Sequence, residues 1–202
     1  MDAIQLLKND HAKVTELFKR FNGGGGLTGM VKRVTGNVPE RQRRQAADQV
    51  CRELDVHAQI EEEIFYPGVR ALNDDKLNQM LTEAFQEHAT LKRQVATIRN
   101  GIGRDPDLQE KMNELQSCVD HHVREEEKEM FPRIEELMDE PRRSELGREL
   151  QARKSEMSPT RRASKRATPA TKRARARNAA RSKARKRTKT AAARGRARSR
   201  RR

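Results

Sequence analysis

Apolar residues recur three and four positions apart in four stretches of the chain, which is the spacing of helices that bury one face. These stretches run over residues 4–18, 50–64, 77–98 and 108–126. Their length and the short segments between them predict an all-α fold, an antiparallel up-down-up-down four-helix bundle.

Glycine and proline mark where these helices should stop. We expect the glycines from Gly23 to Gly26 to end the first helix, Pro67-Gly68 the second and Asn100-Gly101 the third, and Pro132 to bend or end the fourth. The bundle domain is then residues 1–140, followed by a short helical extension over residues 141–156.

Charge divides the chain into two unlike parts. From Arg153 to Arg202 there are 22 Lys and Arg against one acid, which leaves 23 basic and 29 acidic residues in 1–152. The apolar pattern is lost after residue 156, and such a composition cannot bury enough surface to offset its ordering entropy. We therefore predict a disordered tail over residues 157–202.

Four of the five histidines stand at core positions, one on each predicted helix. Two of them precede a glutamate by four residues, in strings of the form His-x3-Glu-Glu-x3-aromatic-Pro that begin at His57 and His122. Residues four apart share a helical face. The resulting inward-facing set is His11, His57, Glu61, His88, His122 and Glu126.

A set of four imidazoles and two carboxylates predicts a dinuclear metal centre rather than a group of satisfied core histidines, because burying so many unpaired polar groups is costly. Nitrogen and oxygen donors together suit iron, manganese or zinc better than magnesium or calcium. A ferritin-like site would need Glu-x-x-His pairs. It is disfavoured, since Leu54, Phe85 and Val119 stand three residues before the histidines of the later helices.

Residues 1–140 resemble the hemerythrin-like, or HHE cation-binding, domains. The resemblance rests on Asn9-Asp10-His11, the two His-x3-Glu strings and Glu87-His88. It implies a bundle around two non-haem irons, with manganese or zinc less favoured. His11 and His57 would be terminal ligands of one iron and His88 and His122 of the other, with Glu61 and Glu126 bridging the two.

Two positions separate the chain from the oxygen-carrying members of that family. Lys92 stands where the carriers have a second histidine on the third helix, which disfavours reversible oxygen carriage and favours a response to oxygen, nitric oxide, peroxide or iron. His121 also lies near Glu126, but the internal repeat aligns His122 with His57, so we expect His121 to be exposed.

Other residues near the strings leave two interpretations open. Glu62 and Glu127 could accept hydrogen bonds from the ligand histidines or could be solvated helix charges. Tyr66 could support the site, although packing is the default for an aromatic residue here. Cys118 and Cys51 are more simply buried small side chains than reactive thiols.

The tail contains no aromatic residues, which argues against base stacking and for contacts to phosphates. It resembles linker-histone tails, and we expect sequence-independent nucleic-acid binding rather than membrane insertion. The basic residues at its centre are Lys165, Arg166, Lys172, Arg173, Arg175, Arg177, Arg181, Lys183, Arg185, Lys186, Arg187 and Lys189.

The combined prediction is a di-iron protein that binds or senses O2, NO or peroxide, or handles iron, and is held on nucleic acid by its tail. One alternative is a di-iron enzyme that reduces peroxide or NO or repairs iron–sulfur centres. The other is a nucleoid-associated DNA-binding protein with the bundle as scaffold. No apolar run or leader pattern is apparent, so a cytoplasmic, nucleoid or (in a eukaryote) nuclear location is expected.

Overall fold

The apolar stripes become the buried faces of helices in the computed structural model, which describes residues 1–24, 38–102 and 105–157. These ranges contain no β-strand. Two π-helical turns, Glu61–Phe65 and Glu126–Met130, each join two α-helices into one continuous rod. The helices are α1 (Ala3–Phe21), α2 (Glu40–Ile60), α3 (Tyr66–Arg70), α4 (Asp75–Gly101), α5 (Leu108–Glu125), α6 (Phe131–Leu137) and α7 (Glu140–Met157).

Four long helical segments run alternately up and down the bundle, as predicted. They are α1, α2 continued by α3, α4, and α5 continued by α6. At the end of α1, the ring of Phe21 lies 4.9 Å from the guanidinium of Arg43 near the start of α2. Residues 71–74 and 105–107 lie in the connections that turn the chain back before α4 and α5. Asp74, which caps α4 by accepting from the amide of Leu77, also pairs with Arg133 of α6 at 2.7 Å. The all-α bundle is therefore confirmed, with α7 as a fifth rod.

The core between the rods is built from the predicted stripe positions. In α4 every predicted stripe residue is buried, as are the predicted positions of α5 and the turn that follows it. Burial of this apolar area supplies most of the folding free energy, at roughly 25 cal/mol per Å². The α4 stripe is Leu77, Leu81, Ala84, His88, Leu91, Val95 and Ile98.

The prediction that Pro67-Gly68 ends the second helix is wrong. Proline clashes with the carbonyl four residues before it and disrupts the α-helical ladder. Here the chain relieves that clash with a π turn, in which the amide of Tyr66 donates to the carbonyl of Glu61, and the helix continues to Arg70. Pro132 follows an identical turn beginning at Glu126.

Each π turn adds a residue to the helical period and so changes which side chains face the core. Ile64, expected on the buried stripe, is only partly buried, whereas Phe65 and Tyr66 are each 1% exposed. The same shift buries Met130 and Phe131 after the second turn. The turns begin at Glu61 and Glu126 themselves, consistent with the frequent occurrence of π turns at functional sites.

Helix α7 packs alongside α1 and covers the bundle on that side. Arg143 pairs with Asp2, and Lys154 pairs with Asp10. Gly147 lies against the backbone of Met1–Ala3, where an added Cβ would be 2.2 Å from the carbonyl oxygen of Met1. Residues Met1–Ser155 form one compact unit.

Met157, predicted as the first residue of the disordered tail, is instead the last residue of α7. The rest of the predicted tail, with its nucleic-acid contacts, lies outside the described part of the chain, and so does most of the glycine-rich segment after α1. Among the helices of the described ranges, none has both the length and the apolar character needed to cross a membrane.

Candidate metal centre

All six predicted ligands are buried and meet in the middle of the bundle. His11 comes from α1, His57 from α2, His88 from α4 and His122 from α5, and each is at most 5% exposed. The two glutamates are the first residues of the two π turns and are at most 1% exposed. The fold thus brings together side chains that are up to 115 positions apart in the sequence.

The six side chains form two groups that share the carboxylates. In the first group, the Nε2 of His11 is 3.2 Å from the Nε2 of His57 and 3.2 Å from Oε2 of Glu126. The Nε2 of His57 is also 3.2 Å from Oε2 of Glu61. The potential ligand atoms of these four residues all lie within 4.8 Å of one another.

The second group is smaller, because the ligand atoms of only three residues, Glu61, His88 and His122, all lie within 4.8 Å of one another. The Nε2 atoms of His88 and His122 are 3.1 Å apart. His88 Nε2 is 3.4 Å from Oε2 of Glu61, and His122 Nε2 is 3.6 Å from Oε2 of Glu126. Each glutamate therefore contacts a histidine from both groups.

Three of the four imidazoles have a carboxylate at their outer nitrogen. Nδ1 of His11 is 2.8 Å from Glu127, Nδ1 of His88 is 3.1 Å from Glu62, and Nδ1 of His122 is 2.8 Å from Glu87. In each neutral ring the N–H then belongs on Nδ1, which leaves the lone pair of Nε2 facing inward. For His57 the corresponding carboxylate, Asp10, is 4.0 Å away, beyond hydrogen-bond distance.

Glu62 and Glu127 thus contact the buried His88 and His11, while their own side chains remain 24% and 36% exposed. Neither Glu87, which contacts His122, nor Asp10, whose carboxylate stops 4.0 Å from His57, was predicted to face a histidine of another helix. A signal was present, because each stands directly before a core histidine. Adjacent residues on a helix differ in direction by about 100°, so the residue that precedes a core histidine points toward the imidazole of a neighbouring helix.

The buried atoms of the site fit a bound cation. Both oxygens of Glu61 and Oε2 of Glu126 accept no hydrogen bond in the described structure. Inward-facing lone pairs on neighbouring Nε2 atoms cannot satisfy one another or these oxygens. A positive ion bound between the imidazole nitrogens and the carboxylate oxygens would satisfy both, which is how buried charges are normally compensated.

The pKa shifts of Glu61, His57 and His88 express the same lack of compensation. Burial, reinforced by repulsion from Glu126, raises the pKa of Glu61 well above its usual range. Burial and the neighbouring His11 hold the pKa of His57 well below its ordinary value, and burial with His122 lowers the pKa of His88 to about 4. Burial disfavours the charge of Glu126 as well, but His122 and His11 outweigh it and lower its pKa.

The two halves of the site are related by the internal repeat, with one chemical difference. Phe131 stacks on His11 with ring centres 6.0 Å apart, and Tyr66 stacks on His88 at 5.5 Å. The Tyr66 hydroxyl donates to Oε1 of Glu126 at 2.9 Å and lies 3.4 Å from Nε2 of His88. Only one half of the site therefore has a hydroxyl beside the histidines.

The space next to the four imidazoles is apolar and small. A cavity of about 20 Å³ is bounded by the histidines and by side chains such as Leu54, Leu91 and Val119. Lys92 also borders it, but its ammonium pairs with Glu62 at 2.5 Å. The cavity has room for about one molecule of water or of a diatomic gas.

The remaining candidates lie outside the centre. His121 is 57% exposed, as predicted, and its Nδ1 lies 2.9 Å from the carboxylate of Glu87. Cys118, predicted to be buried, is only partly buried, and its Sγ accepts from the amide of Gln94 at 3.6 Å. Cys51 is buried as predicted, and burial raises the pKa of its thiol to about 11.

A helical bundle whose interior holds buried histidine and glutamate clusters defines a metal-binding protein of the all-α class. The family model for the hemerythrin HHE cation binding domain matches residues 2–134 and again residues 80–192. The chain therefore belongs to the hemerythrin HHE cation-binding family. The first match begins shortly before His11, which precedes the string that starts at His57. The second begins shortly before His88, which precedes the string that starts at His122.

Several known proteins are similar to this chain. A DNA nickase of Nostoc sp. is 26% identical over 157 residues, which are 78% of this chain and 40% of that protein. The uncharacterized proteins Rv2633c of Mycobacterium tuberculosis and Mb2666c of Mycobacterium bovis are 29% identical over 108 residues, 52% of this chain and 63% of theirs. The chain thus spans less than two thirds of the length of these relatives.

A solved structure has the same fold. The crystal structure of a hemerythrin HHE cation binding domain-containing protein, the Rv2633c homolog from Mycobacterium kansasii, superposes with a TM-score of 0.62 at 22% identity. The superposition covers 78% of this chain and 87% of the Mycobacterium kansasii chain.

Proposed function

We propose that this protein holds a non-haem di-iron centre, in which His11 and His57 are terminal ligands of one iron and His88 and His122 of the other. Glu61 and Glu126 bridge the two. The observation that supports this assignment best is the convergence of two histidine pairs, with Nε2 lone pairs inward, on two shared carboxylates.

Iron suits this mixed set of imidazole and carboxylate donors, with manganese and zinc as less favoured occupants. An iron pair would supply a redox-active centre able to bind O2, NO or peroxide. The chain contributes the orientation of the rings, because Glu127, Glu62 and Glu87 hold three Nδ1–H groups outward. Such carboxylates also increase the basicity of the ligand nitrogens.

The immediate surroundings favour a small uncharged ligand. The small and mostly apolar cavity beside the histidines suits a small uncharged molecule. Lys92 is held by Glu62 in the region where oxygen carriers have a further histidine, so the chain offers one imidazole fewer there. The Tyr66 hydroxyl holds a proton at Oε1 of Glu126, near His88. These features support binding or sensing of O2, NO or peroxide, or the handling of iron.

An enzymatic function is a second candidate, as a di-iron enzyme for peroxide or NO reduction or for iron–sulfur repair. The observation that favours it is Tyr66, a buried hydroxyl on one half of an otherwise repeated site. Turnover of peroxide or NO by the iron-loaded protein would distinguish this function from binding and sensing.

The nucleic-acid tether rests on the composition of the tail and on one relative. A segment with 22 Lys and Arg and no aromatic residue suits phosphate contacts without base recognition. The similarity to a protein named DNA nickase is consistent with a link to nucleic acid. A nucleoid-associated protein that uses the bundle only as a scaffold is the alternative function for the same tail.

Metal analysis of anaerobically purified protein tests the centre. We expect about two irons per chain, as in di-iron bundles. Glu61→Ala should lose the paired centre, whereas His121→Ala, which removes an exposed imidazole from the same helix as His122, should retain it. Protein that stays metal-free when iron is supplied would contradict the di-iron assignment and favour the scaffold.

Deletion of residues 158–202 tests the tether. This boundary keeps Arg153 and Lys154, which pair with Glu63 and Asp10 in the bundle. The shortened protein should keep its metal and lose retention on DNA at 50 mM salt. For the full chain, about 6–10 phosphate contacts predict a roughly 10³–10⁵-fold loss of affinity between 50 and 200 mM salt. DNA binding that survives the deletion would refute the tether.

A further inference from the structure

The two halves of the bundle differ most on the surface beside the centre. A cavity of about 240 Å³ opens between α4 and the rod formed by α5 and the second π turn. Its walls include four carboxylates, those of Glu83, Glu87, Glu125 and Glu129. We name this surface the acidic groove.

The acidic groove reaches the buried centre. His122 and Glu126, which are 2% and 1% exposed, also line it, and Oε2 of Glu126 accepts no hydrogen bond in the described structure. The groove therefore extends from solvent to two buried side chains of the centre. Lys76 also lines the groove, but its single positive charge is outnumbered by the four surface carboxylates.

A set of potential cation ligands lies beside the outer part of the groove. The carboxylate of Glu87 is 2.9 Å from Nδ1 of His121, and Glu125 is 3.5 Å from Nε2 of the same ring. The three residues offer ligand atoms within 4.8 Å of one another. The other oxygen of Glu87 contacts His122 at 2.8 Å, so one carboxylate joins the outer set to the centre.

The internal repeat supplies a comparison within the same chain. Aligning His11 with His88, and His57 with His122, places Leu6 opposite Glu83, Ile60 opposite Glu125 and Ile64 opposite Glu129. The counterpart of His121 is Val56. On the α1–α2 side, three of the four groove carboxylates thus have apolar counterparts, and the fourth, Glu87, has Asp10.

That other side is also covered by α7. Lys154 pairs with Asp10, the counterpart of Glu87, and Arg153 pairs with Glu63. The carboxylates of the acidic groove thus lie on the half of the bundle that α7 leaves uncovered. Packing gives no reason to place four like charges together, since neighbouring like charges destabilise a helix surface.

We propose that the acidic groove is the route by which divalent cations reach the centre, with Glu87, His121 and Glu125 as a transient outer cation site. Carboxylates and one imidazole at the mouth raise the local concentration of a divalent cation such as Fe²⁺. Glu87 and the buried Glu126, which both line the groove, then lead inward to the four histidines. This inference rests on the proposed metal centre, since a route requires a destination.

The rate of metal loading tests the route. Metal-free full-length protein is mixed anaerobically with Co²⁺, and arrival at the centre is followed by the visible absorption of the bound ion. Glu83→Gln/Glu129→Gln removes two exposed groove charges that are not ligands. It should load more slowly by roughly 3–10-fold at low salt, a fraction of the full effect of a charged cleft. The final metal content should be unchanged.

Glu110→Gln/Glu114→Gln is the matched control. It removes two exposed charges from α5, on a part of that helix that does not line the groove. This control should load at the wild-type rate, and the defect of the groove variant should shrink as salt screens the charges. Equal rates for groove variant, control and wild type would overturn the proposed route. A wild-type protein that binds no metal at equilibrium would instead overturn the proposed centre.

The outer site has a separate readout. In protein whose centre is filled with Zn²⁺, added Mn²⁺ should broaden the imidazole proton NMR signals of His121 before those of the four buried histidines. The groove variant should need more Mn²⁺ for the same broadening. Signals of His121 that stay sharp, or that broaden equally in the groove variant, would contradict a cation site at the mouth.

Discussion

Glu61 is a buried carboxylate whose oxygens accept no hydrogen bond, and Glu61→Gln replaces it with a neutral side chain of nearly the same shape. In the metal-free protein we expect this change to increase stability. The new amide N–H2 can donate to the inward lone pairs of His57 and His88, whose Nε2 atoms lie 3.2 and 3.4 Å from Oε2 of Glu61. The same change should bring the bound metal below two ions per chain.

The magnitude follows from the cost of an unpaired buried polar group, about 1–3 kcal/mol in proteins. For a chain of this size that corresponds to a rise in Tm of roughly 2–4 °C for each kcal/mol. Burial raises the folded-state pKa of Glu61 above its unfolded value. The folded state then binds the extra proton, so wild-type stability falls as pH rises from about 4.5 toward the folded pKa.

The stability difference between variant and wild type should therefore grow with pH, by at most about 1.4 kcal/mol per pH unit in that window. Urea unfolding followed by circular dichroism, in chelator and from pH 4.5 to 8, measures it. Taking the difference between the two proteins removes the titration of groups remote from Glu61, whereas the mutual repulsion of Glu61 and Glu126 is part of the measured difference.

Glu63→Gln is the control, because Glu63 lies in the same π turn but on the surface, where it pairs with Arg153. Loss of an exposed ion pair should change stability by less than about 1 kcal/mol. The reasoning is refuted if metal-free Glu61→Gln is less stable than wild type, or if its advantage shrinks with rising pH.

Three further changes test other parts of the structure. Tyr66→Phe should retain two metal ions, because Phe131 fills the equivalent place, but removing the donor to Glu126 should destabilise the metal-free protein by about 1.5–3 kcal/mol in urea unfolding. Glu87→Gln should weaken metal affinity roughly 10–100-fold in competition with a chelator, since it removes the charge that orients His122; unchanged affinity would argue against that role. Gly147→Ala should cost about 1–3 kcal/mol of stability by forcing α7 away from the backbone of Met1–Ala3, and a neutral result would show that this contact yields easily.

The outcome of the sequence predictions shows where local patterns stop being sufficient. The stripe of α4 was predicted in full because an amphipathic helix buries one face, and periodicity alone identifies that face. Ile64 was placed wrongly because a π turn adds one residue, and the proline that provokes this turn is equally compatible with a helix end. Sequence alone does not distinguish these two responses, since the choice depends on whether Phe65 and Tyr66 find core space.

The sequence by itself determined the class of fold and the convergence of four histidines and two glutamates, because each occupies a core position on its own helix. Only the tertiary structure decided which carboxylate stands behind which histidine, as Glu87 with His122 and Glu62 with His88. It also decided that α7 covers one half of the repeated site and leaves the acidic groove on the other. These pairings join different helices, and their geometry depends on how the rods pack, which periodicity within one helix does not specify.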